Sequence, residues 1–215
     1  IILVVAVVAI IIVKTTKNEF KTKAVILAIG REPKRLENKN ERELEGKGIS
    51  FCSLCDGALY RGEEVSIVGG GNSALEEALY LATICKKVYI LNRTDTLRGD
   101  EILKNKVLEK DNIEVLYNTQ VMEFNGENEI LKSITIQEKE EFKELNVKAC
   151  FIFIGYAPAT KFIKNLEILD EKGYIIVDKN GRTAVDGIYA AGDIIKKDLY
   201  QIVTASSDGA QAAVS

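Results

Sequence analysis

Hydrophobic and polar positions change their spacing several times along the chain. Residues 1–13 are apolar throughout and rich in Val and Ile, which favours a buried strand or hairpin over a membrane anchor, for which they are too short. From Glu64 the pattern becomes an apolar strand (VSIVG), a glycine turn, an amphipathic helix (SALEEALYLATIC) and a second strand (KVYILN). Strand, helix and strand in this order form a βαβ unit, so the sequence predicts an α/β fold with a parallel sheet.

The pattern continues in the same manner towards the C-terminus. It predicts a helix over 100–110, strands near 113–117 and 130–137, a buried strand in ACFIFIG and a final helix from about Thr204. Residues 31–48 stand apart because they are highly charged and contain a proline and two glycines. Such a composition indicates a linker and a candidate domain boundary.

Composition narrows the functions that the chain can have. Its 215 residues include no histidine, which excludes Cys–His and Ser–His–Asp catalysis and any histidine metal site. The formal net charge of −3 gives no reason to expect nucleic acid or an anionic membrane as a partner. Four cysteines, two of them in apolar segments, do not suit a disulfide-stapled secreted fold, so a cytoplasmic protein is expected.

The glycine turn after the VSIVG strand has the spacing of a dinucleotide-binding fingerprint. Its first glycine permits a tight turn, its third lets the backbone approach a pyrophosphate, and its alanine allows the helix to pack closely on the strand. The N-terminus of that helix supplies free N–H groups for phosphate. An unoccupied glycine turn is the alternative. The residues concerned are Gly69, Gly70, Gly71, Asn72, Ser73 and Ala74.

The end of the next strand indicates which dinucleotide is bound. An acidic residue there would favour the ribose hydroxyls of NAD. The sequence instead has Arg93, with Arg98 further along, and guanidinium groups can pair with the 2′-phosphate of NADP. NADP is therefore predicted, and solvated loop arginines are the alternative.

Cys52 and Cys55 form a Cys-x-x-Cys pair shortly before the glycine turn. Near a βαβ unit this spacing is typical of a redox dithiol. A zinc half-site would need two further ligands, and only Cys85 and Cys150 remain, both in apolar segments. Redox chemistry is therefore favoured over zinc and over inert thiols, and no metal site is predicted. Asp56, directly after the second cysteine, is either a turn residue or a proton donor to a departing thiolate.

A third motif, GIYAAGD at residues 187–193, is an apolar strand that ends in small residues and an acid. The position of Asp193 suits a ligand hydroxyl at the carboxyl end of a strand. An aspartate that caps the following segment would explain the motif almost as well, so this motif alone does not decide between binding and structure.

Together these motifs resemble the low-molecular-weight thioredoxin reductases, a branch of the flavoprotein disulfide reductases. The resemblance runs from about Lys23 to the C-terminus and rests on AVILAIGREP, GISFCSLCDGALYRGEEVSIVGGGNSALEEALYLA, FIFIGYAP and GIYAAGDIIKKDLYQIVTASSDGAQAA. It implies two Rossmann-like three-layer domains, an NADP-binding domain (41–157) with the dithiol inserted into a split FAD-binding domain (1–40 and 158–215). No glycine precedes Gly30, so the family's N-terminal FAD fingerprint is not found and the FAD domain is expected to be incomplete.

The resemblance also implies a function and assigns roles to individual residues. The chain would be an FAD-dependent reductase, a homodimer, that passes electrons from NADPH to the dithiol and on to thioredoxin. Cys52 would attack the thioredoxin disulfide, Cys55 would face the flavin, and Asp56 would protonate the outgoing thiolate. The residues implied to hold FAD are Gly30, Gly192, Asp193, Gln201 and Ile202.

Departures from the family pattern leave alternatives open. The NADP-phosphate motif, usually His-Arg-Arg followed by another Arg, reads Asn-Arg-Thr at 92–94 with Arg98, and the arginine usual before Gln201 is Tyr200. NADH or ferredoxin could therefore replace NADPH as the electron donor. A flavin-free nucleotide-binding fragment without turnover is the alternative from a different class.

Overall fold

The computed structural model describes the backbone of residues 3–7 and 10–215 and the side chains from Ile10 onward. The chain forms two compact units. One consists of the residues up to Glu32 together with Tyr156–Ser215, and the other of Pro33–Gly155. The second unit is therefore a continuous insertion in the sequence of the first.

Short strands and helices make up both units. Among the described residues, no helix has the length and hydropathy to span a bilayer. The helices are α1 (Ser53–Asp56), α2 (Asn72–Ala82), α3 (Glu101–Leu108) and α4 (Ile202–Val214). The strands are β1 (Leu3–Val7), β2 (Ile10–Lys14), β3 (Glu19–Thr22), β4 (Val25–Leu27), β5 (Arg31–Pro33), β6 (Ile49–Ser50), β7 (Glu64–Val68), β8 (Lys87–Asn92), β9 (Ile113–Tyr117), β10 (Thr119–Glu127), β11 (Ile130–Glu138), β12 (Glu141–Leu145), β13 (Ala149–Ile152), β14 (Tyr156–Pro158) and β15 (Ile188–Ala190).

A five-stranded parallel sheet with the order β6–β13–β7–β8–β9 is the centre of the Pro33–Gly155 unit. Its inner strands are rich in Val, Ile and Phe because both faces of the sheet are covered. Ile67 on β7 and Phe151 on β13 are fully buried. Helices α2 and α3 pack on one face, where α2 contributes a buried stripe that includes Leu75 and Leu81.

The opposite face of this sheet is covered by an antiparallel meander, β10–β11–β12. Phe124, Leu131 and Ile134 of the meander form a buried cluster with Leu91 of β8. Helices, parallel sheet and meander make three layers, so the predicted α/β class with a Rossmann-like arrangement is confirmed. The predicted βαβ unit and the helix predicted over 100–110 are also present.

The charged segment 31–48 differs from the linker that its composition predicts. Asn40 donates a side-chain hydrogen bond to the Phe124 carbonyl on β10 at 2.9 Å. Leu44 is only 4% exposed and packs in the cluster beneath the meander. Most of the segment is therefore packed as part of the Pro33–Gly155 unit. Most of its charged side chains are exposed, but Glu41 is buried.

The unit that ends at Ser215 contains an antiparallel series, β1–β2–β3, and a parallel pair, β4–β15. Helix α4 places Ala212 in the interior. Strands are found where residues 1–13 are described, and residues 1, 2, 8 and 9 lie outside the described residues. The burial expected of this run holds for Ile11, whereas Ile10 is exposed. The buried isoleucines of the core are Ile11, Ile163, Ile168, Ile175, Ile188, Ile194 and Ile195.

The chain passes between the units twice, before Pro33 and after Gly155. The Lys34 N–H donates to the Gly155 carbonyl at 2.9 Å, so the two ends of the inserted unit are hydrogen-bonded to each other. The sequence places the domain boundaries at 40/41 and 157/158. The identity of the two units as FAD-binding and NADP-binding domains stays a prediction.

Candidate functional site

One edge of the parallel sheet collects most of the residues that the sequence singles out. Because β6, β7 and β8 are parallel, the loops that follow them leave from the same edge. Cys52 follows β6, Gly69 follows β7 and Arg93 follows β8. Only β13 lies between β6 and β7 in the strand order. The dithiol and the glycine turn are therefore held on one sheet, separated by two strand spacings, or about 10 Å.

The glycine turn is shaped by two contacts that a larger residue would break. Gly69 has φ +139°, and a Cβ there would lie 2.3 Å from the Phe153 carbonyl oxygen. A Cβ on Gly70 would lie 2.2 Å from Oδ1 of Asn92, the last residue of β8. Glycine at both positions therefore lets the turn lie tight against its neighbours, a role that the sequence analysis gives to Gly69 only.

Gly71 and the first turn of α2 leave room for a ligand. As far as the chain is described, a Cβ on Gly71 would meet nothing within 4 Å and no side chain caps the N-terminus of α2. Ser73 is exposed, whereas Ala74 is fully buried. Asn72 exchanges hydrogen bonds with Asp100 at 2.7 and 2.8 Å, which joins the starts of α2 and α3. Free N–H groups beside an open glycine suit a pyrophosphate.

A cavity of about 320 Å³ opens beside this turn, and Arg93 and Arg98 both line it. Lys34 lines the same cavity and adds a third cation, which the sequence motifs do not indicate. Within the described part of the chain none of these three cations forms an ion pair. Asn38, Thr119 and Gln120 also line the cavity, and none of the described residues that line it is acidic. Its charge therefore suits a phosphate group.

Cys52 and Cys55 are joined in a disulfide, with sulfurs 2.02 Å apart and Cα atoms 5.3 Å apart. Cys55 is exposed and Cys52 is half-buried. Cys52 is the N-cap of α1, and the Cys55 N–H donates to the Cys52 sulfur at 3.2 Å. The bonded pair agrees with the redox interpretation of the motif.

Asp56 is the last residue of α1, the short helix that has Cys52 as its N-cap and contains Cys55. Its N–H donates to the Cys52 carbonyl at 3.2 Å, and its Oδ2 accepts a hydrogen bond from Ser50 Oγ at 2.6 Å. Burial, and to a lesser extent the charge of Asp56, raises the pKa of Tyr60, so that phenol stays neutral at physiological pH. The dithiol and the Asp56 carboxyl group therefore belong to the same short helix.

Cys85 and Cys150 are buried and unbonded, and burial raises the pKa of Cys85 to about 11 and that of Cys150 to about 12. At pH 8 roughly one Cys85 thiol in a thousand is then ionised. We expect iodoacetamide to label the folded chain at pH 8 only after disulfide reduction, and then only at Cys52 and Cys55. Between pH 8 and pH 10 labelling of Cys85 should accelerate about 100-fold, because the thiolate fraction rises tenfold per pH unit below the pKa. Peptide mass spectrometry measures both effects, and rapid labelling of Cys85 at pH 8 would contradict them.

The residues that the resemblance assigns to FAD come together in the other unit. They line a cavity of about 480 Å³, a size within the usual range of small-molecule sites (roughly 300–1,000 Å³). Most of the remaining lining consists of small residues, among them Ala28, Ala191, Ala205 and Gly209. The assigned residues are Gly30, Gly192, Asp193, Gln201 and Ile202.

Arg31 contacts two residues that line this second cavity. The sequence motifs did not indicate it. Its Nη2 lies 3.2 Å from Oδ2 of Asp193, and its guanidinium group stacks 3.8 Å from the ring centroid of Tyr200. Arg31 and Asp193 are 162 residues apart in sequence, so no local pattern could have indicated the pair. The contact orients the Asp193 carboxylate at the edge of the cavity.

Comparisons with known proteins agree with these motifs. The family model described as pyridine nucleotide-disulphide oxidoreductase matches residues 5–209. Thioredoxin reductase of Bacillus subtilis (strain 168) is 43% identical over 209 residues, which cover 95% of this chain and 65% of that protein. Thioredoxin reductase of Borreliella burgdorferi is 41% identical over 91% of this chain and 60% of that protein. The chain thus spans less than two thirds of the length of these relatives.

A solved structure gives the same result for the fold. Lactococcus lactis thioredoxin reductase superposes with a TM-score of 0.84 and 36% identity, over 100% of this chain and 72% of that one. Family model, relatives and fold therefore agree with the motifs on the sheet edge. The chain belongs to the pyridine nucleotide-disulphide oxidoreductase family, and within it to the thioredoxin reductases.

Proposed function

We propose that the chain acts as a thioredoxin-disulfide reductase that passes two electrons from NADPH, with FAD as intermediary, to the Cys52–Cys55 disulfide and then to thioredoxin. The observation that carries this proposal is the position of the disulfide and the dinucleotide turn on one edge of one parallel sheet. The disulfide has a sequence separation of only 3, so it closes a very short loop and stabilises the fold less than a disulfide that closes a long loop. A reactive role accounts for it better than a structural one.

NADPH is proposed to bind along residues 69–74, with its pyrophosphate at the start of α2. The open space at Gly71 and the uncapped N-terminus of α2 support this position. Arg93, Arg98 and Lys34 would face the 2′-phosphate, since they line a cavity without acidic residues. This charge favours NADPH over NADH.

FAD is proposed to occupy the cavity of the other unit. Gly30 and Gly192 support this, because both have positive φ (+67° and +79°) and a Cβ on Gly30 would meet nothing within 4 Å. The Asp193 carboxylate, oriented by Arg31, suits a ligand hydroxyl. FAD, when bound, supplies a two-electron relay between nicotinamide and disulfide. The residues proposed to hold it are Gly30, Gly192, Asp193, Gln201 and Ile202.

Reduced Cys52 is proposed to attack the thioredoxin disulfide. The Cys55 N–H that donates to its sulfur would stabilise the thiolate. This attack forms a mixed disulfide and releases one thioredoxin sulfur as a thiolate; Cys55 then attacks the Cys52 sulfur and releases the other. The two electrons of the dithiol end on thioredoxin, and Cys52 and Cys55 are again a disulfide. Asp56 is proposed to donate a proton to a departing thiolate.

The family suggests a homodimer in the cytoplasm as the working form and thioredoxin or a thioredoxin-like protein as the partner. The proposal is tested by the absorbance spectrum of the purified chain before and after addition of FAD, followed by thioredoxin reduction with NADPH, NADH or reduced ferredoxin. We expect flavin bands that persist through gel filtration and the fastest reduction with NADPH. Faster reduction by NADH or ferredoxin would replace the proposed donor. A chain without flavin bands and without turnover would be a nucleotide-binding fragment.

Substitution of both Arg93 and Arg98 by glutamine should weaken binding of 2′,5′-ADP about tenfold or more and leave binding of 5′-AMP unchanged. The two probes differ only in the 2′-phosphate, which the guanidinium groups are proposed to pair with. Isothermal titration calorimetry measures both affinities, and Arg61→Gln, an exposed arginine outside the cavity, is the matched control. An equal loss for both probes would place the arginines elsewhere in the site.

A further inference from the structure

The Ser50 hydroxyl connects the parts of the dithiol site. Ser50 is the last residue of β6 and is 7% exposed. Its Oγ donates to Oδ2 of Asp56 at 2.6 Å and accepts from the N–H of Cys52 at 3.1 Å. The Cys52 carbonyl is a more distant alternative acceptor at 3.3 Å. A hydroxyl has one proton, so the shorter contact assigns it to Asp56.

Ser50 is the side chain that fixes the Asp56 carboxylate. Within the described residues Asp56 forms no ion pair, although it is half-buried. Hydrogen bonds to charged acceptors are short and stronger than neutral ones. The orientation of the carboxylate therefore depends on a hydroxyl anchored in the sheet, and the same hydroxyl holds the backbone of Cys52.

We propose that Ser50 is a positioning residue, which holds Asp56 where it can protonate a thiolate that leaves during reaction of the dithiol. This inference rests on the proposed function, because it assumes that Asp56 is the proton donor. Cys55 attacks the Cys52 sulfur of the mixed disulfide, the bond between Cys52 and the partner sulfur breaks, and the partner sulfur leaves with the electron pair. As it attacks, the Cys55 thiol gives its proton to the Asp56 carboxylate, which passes that proton to the leaving partner sulfur. Asp56 is then again the carboxylate that accepts the Ser50 hydrogen bond.

Small disulfides test this proposal without flavin, nucleotide or thioredoxin. The chain is reduced with dithiothreitol, freed of reductant and mixed with one of two disulfides. Hydroxyethyl disulfide releases an aliphatic thiolate, which needs a proton to leave, whereas dithiobis(nitrobenzoate) releases an aromatic thiolate, which does not. Ser50→Ala should slow the first reaction about tenfold and leave the second within about twofold of the unsubstituted chain. Ser50→Thr, which keeps the hydroxyl, should restore the first rate. Slowing of both reactions, or of neither, would overturn the proposal.

A double variant separates positioning from a general structural role. If Ser50 acts through Asp56, Ser50→Ala should have no further effect on hydroxyethyl disulfide reduction in an Asp56→Asn chain. Independent, multiplying effects would overturn the proposal. Ser66→Ala is the matched control, since Ser66 is a buried serine of β7 whose hydroxyl donates to the Ala149 carbonyl. If the reduced chain reacts with both small disulfides but not with thioredoxin, the proposed substrate is wrong while the assignment of Ser50 stands.

Discussion

Cys52→Ser is expected to abolish electron transfer from the pre-reduced chain to thioredoxin, a loss of at least ~1,000-fold in single-turnover rate, because it removes the attacking thiolate. Cys55→Ser should behave differently. Its Cys52 can still attack, but no thiol remains to resolve the product, so thioredoxin should accumulate in a covalent mixed disulfide. Mass tagging of thioredoxin thiols measures the transfer, and non-reducing electrophoresis detects the trapped complex.

The matched control for both cysteine variants is a chain with Cys85→Ala and Cys150→Ala. Both thiols are buried and have raised pKa values, so their removal should leave electron transfer unchanged. Trapping by Cys52→Ser instead of Cys55→Ser would exchange the roles of the two cysteines. Electron transfer that survives in both single variants would refute the proposed dithiol chemistry.

Gly69→Ala should lower the stability of the fold, whereas Gly71→Ala should leave stability nearly unchanged and weaken nucleotide binding. At Gly69 a Cβ would strike the Phe153 carbonyl in a backbone conformation that alanine rarely adopts, so we expect a loss of at least ~3 kcal/mol in the free energy of unfolding. At Gly71 a Cβ meets nothing, and alanine should change stability by less than about 1 kcal/mol. That methyl group would nevertheless fill the space in which the pyrophosphate is proposed to lie, so NADP⁺ affinity should fall at least tenfold.

Urea denaturation and calorimetry with NADP⁺ measure the two effects on the same preparations. A stable Gly69→Ala chain would show that the turn can relax away from the Phe153 carbonyl. Unchanged NADP⁺ affinity in Gly71→Ala would mean that no phosphate approaches the start of α2, and the proposed nucleotide position would have to be abandoned.

The predictions that the structure confirms rest on short stretches of sequence. The glycine turn and the helix after it lie within residues 69–82, and their geometry follows from backbone sterics and hydrophobic spacing. The cysteine pair likewise lies within one turn of helix. Such features are encoded locally, so the glycine turn could be placed at the end of its strand from the sequence, whereas the two-residue strand β6 before the cysteine pair was not predicted.

The features that sequence reasoning missed depend on contacts between distant segments. Strand β10 is an example, since a shift in its register between Val121 and Glu123 interrupts the alternation of buried and exposed positions that marks a strand. Lys34 lines the cavity beside the glycine turn because its segment packs on the same unit, and Arg31 meets Asp193 across 162 residues. Ser50 is close to the dithiol in sequence, but its role depends on the rotamers of two side chains, which hydrophobic patterns do not encode.

The hydrogen bond between Lys34 and Gly155 has a consequence for how such a protein can be rearranged. An inserted segment whose two ends are neighbours can be excised and closed by a short turn, or exchanged for another segment with the same end-to-end distance, while its own core stays whole. The pairing of β5 with β14 leaves the flanking chain ends equally close together. The glycine turn and the dithiol therefore lie in one continuous segment, which recombination could insert or replace in a single event.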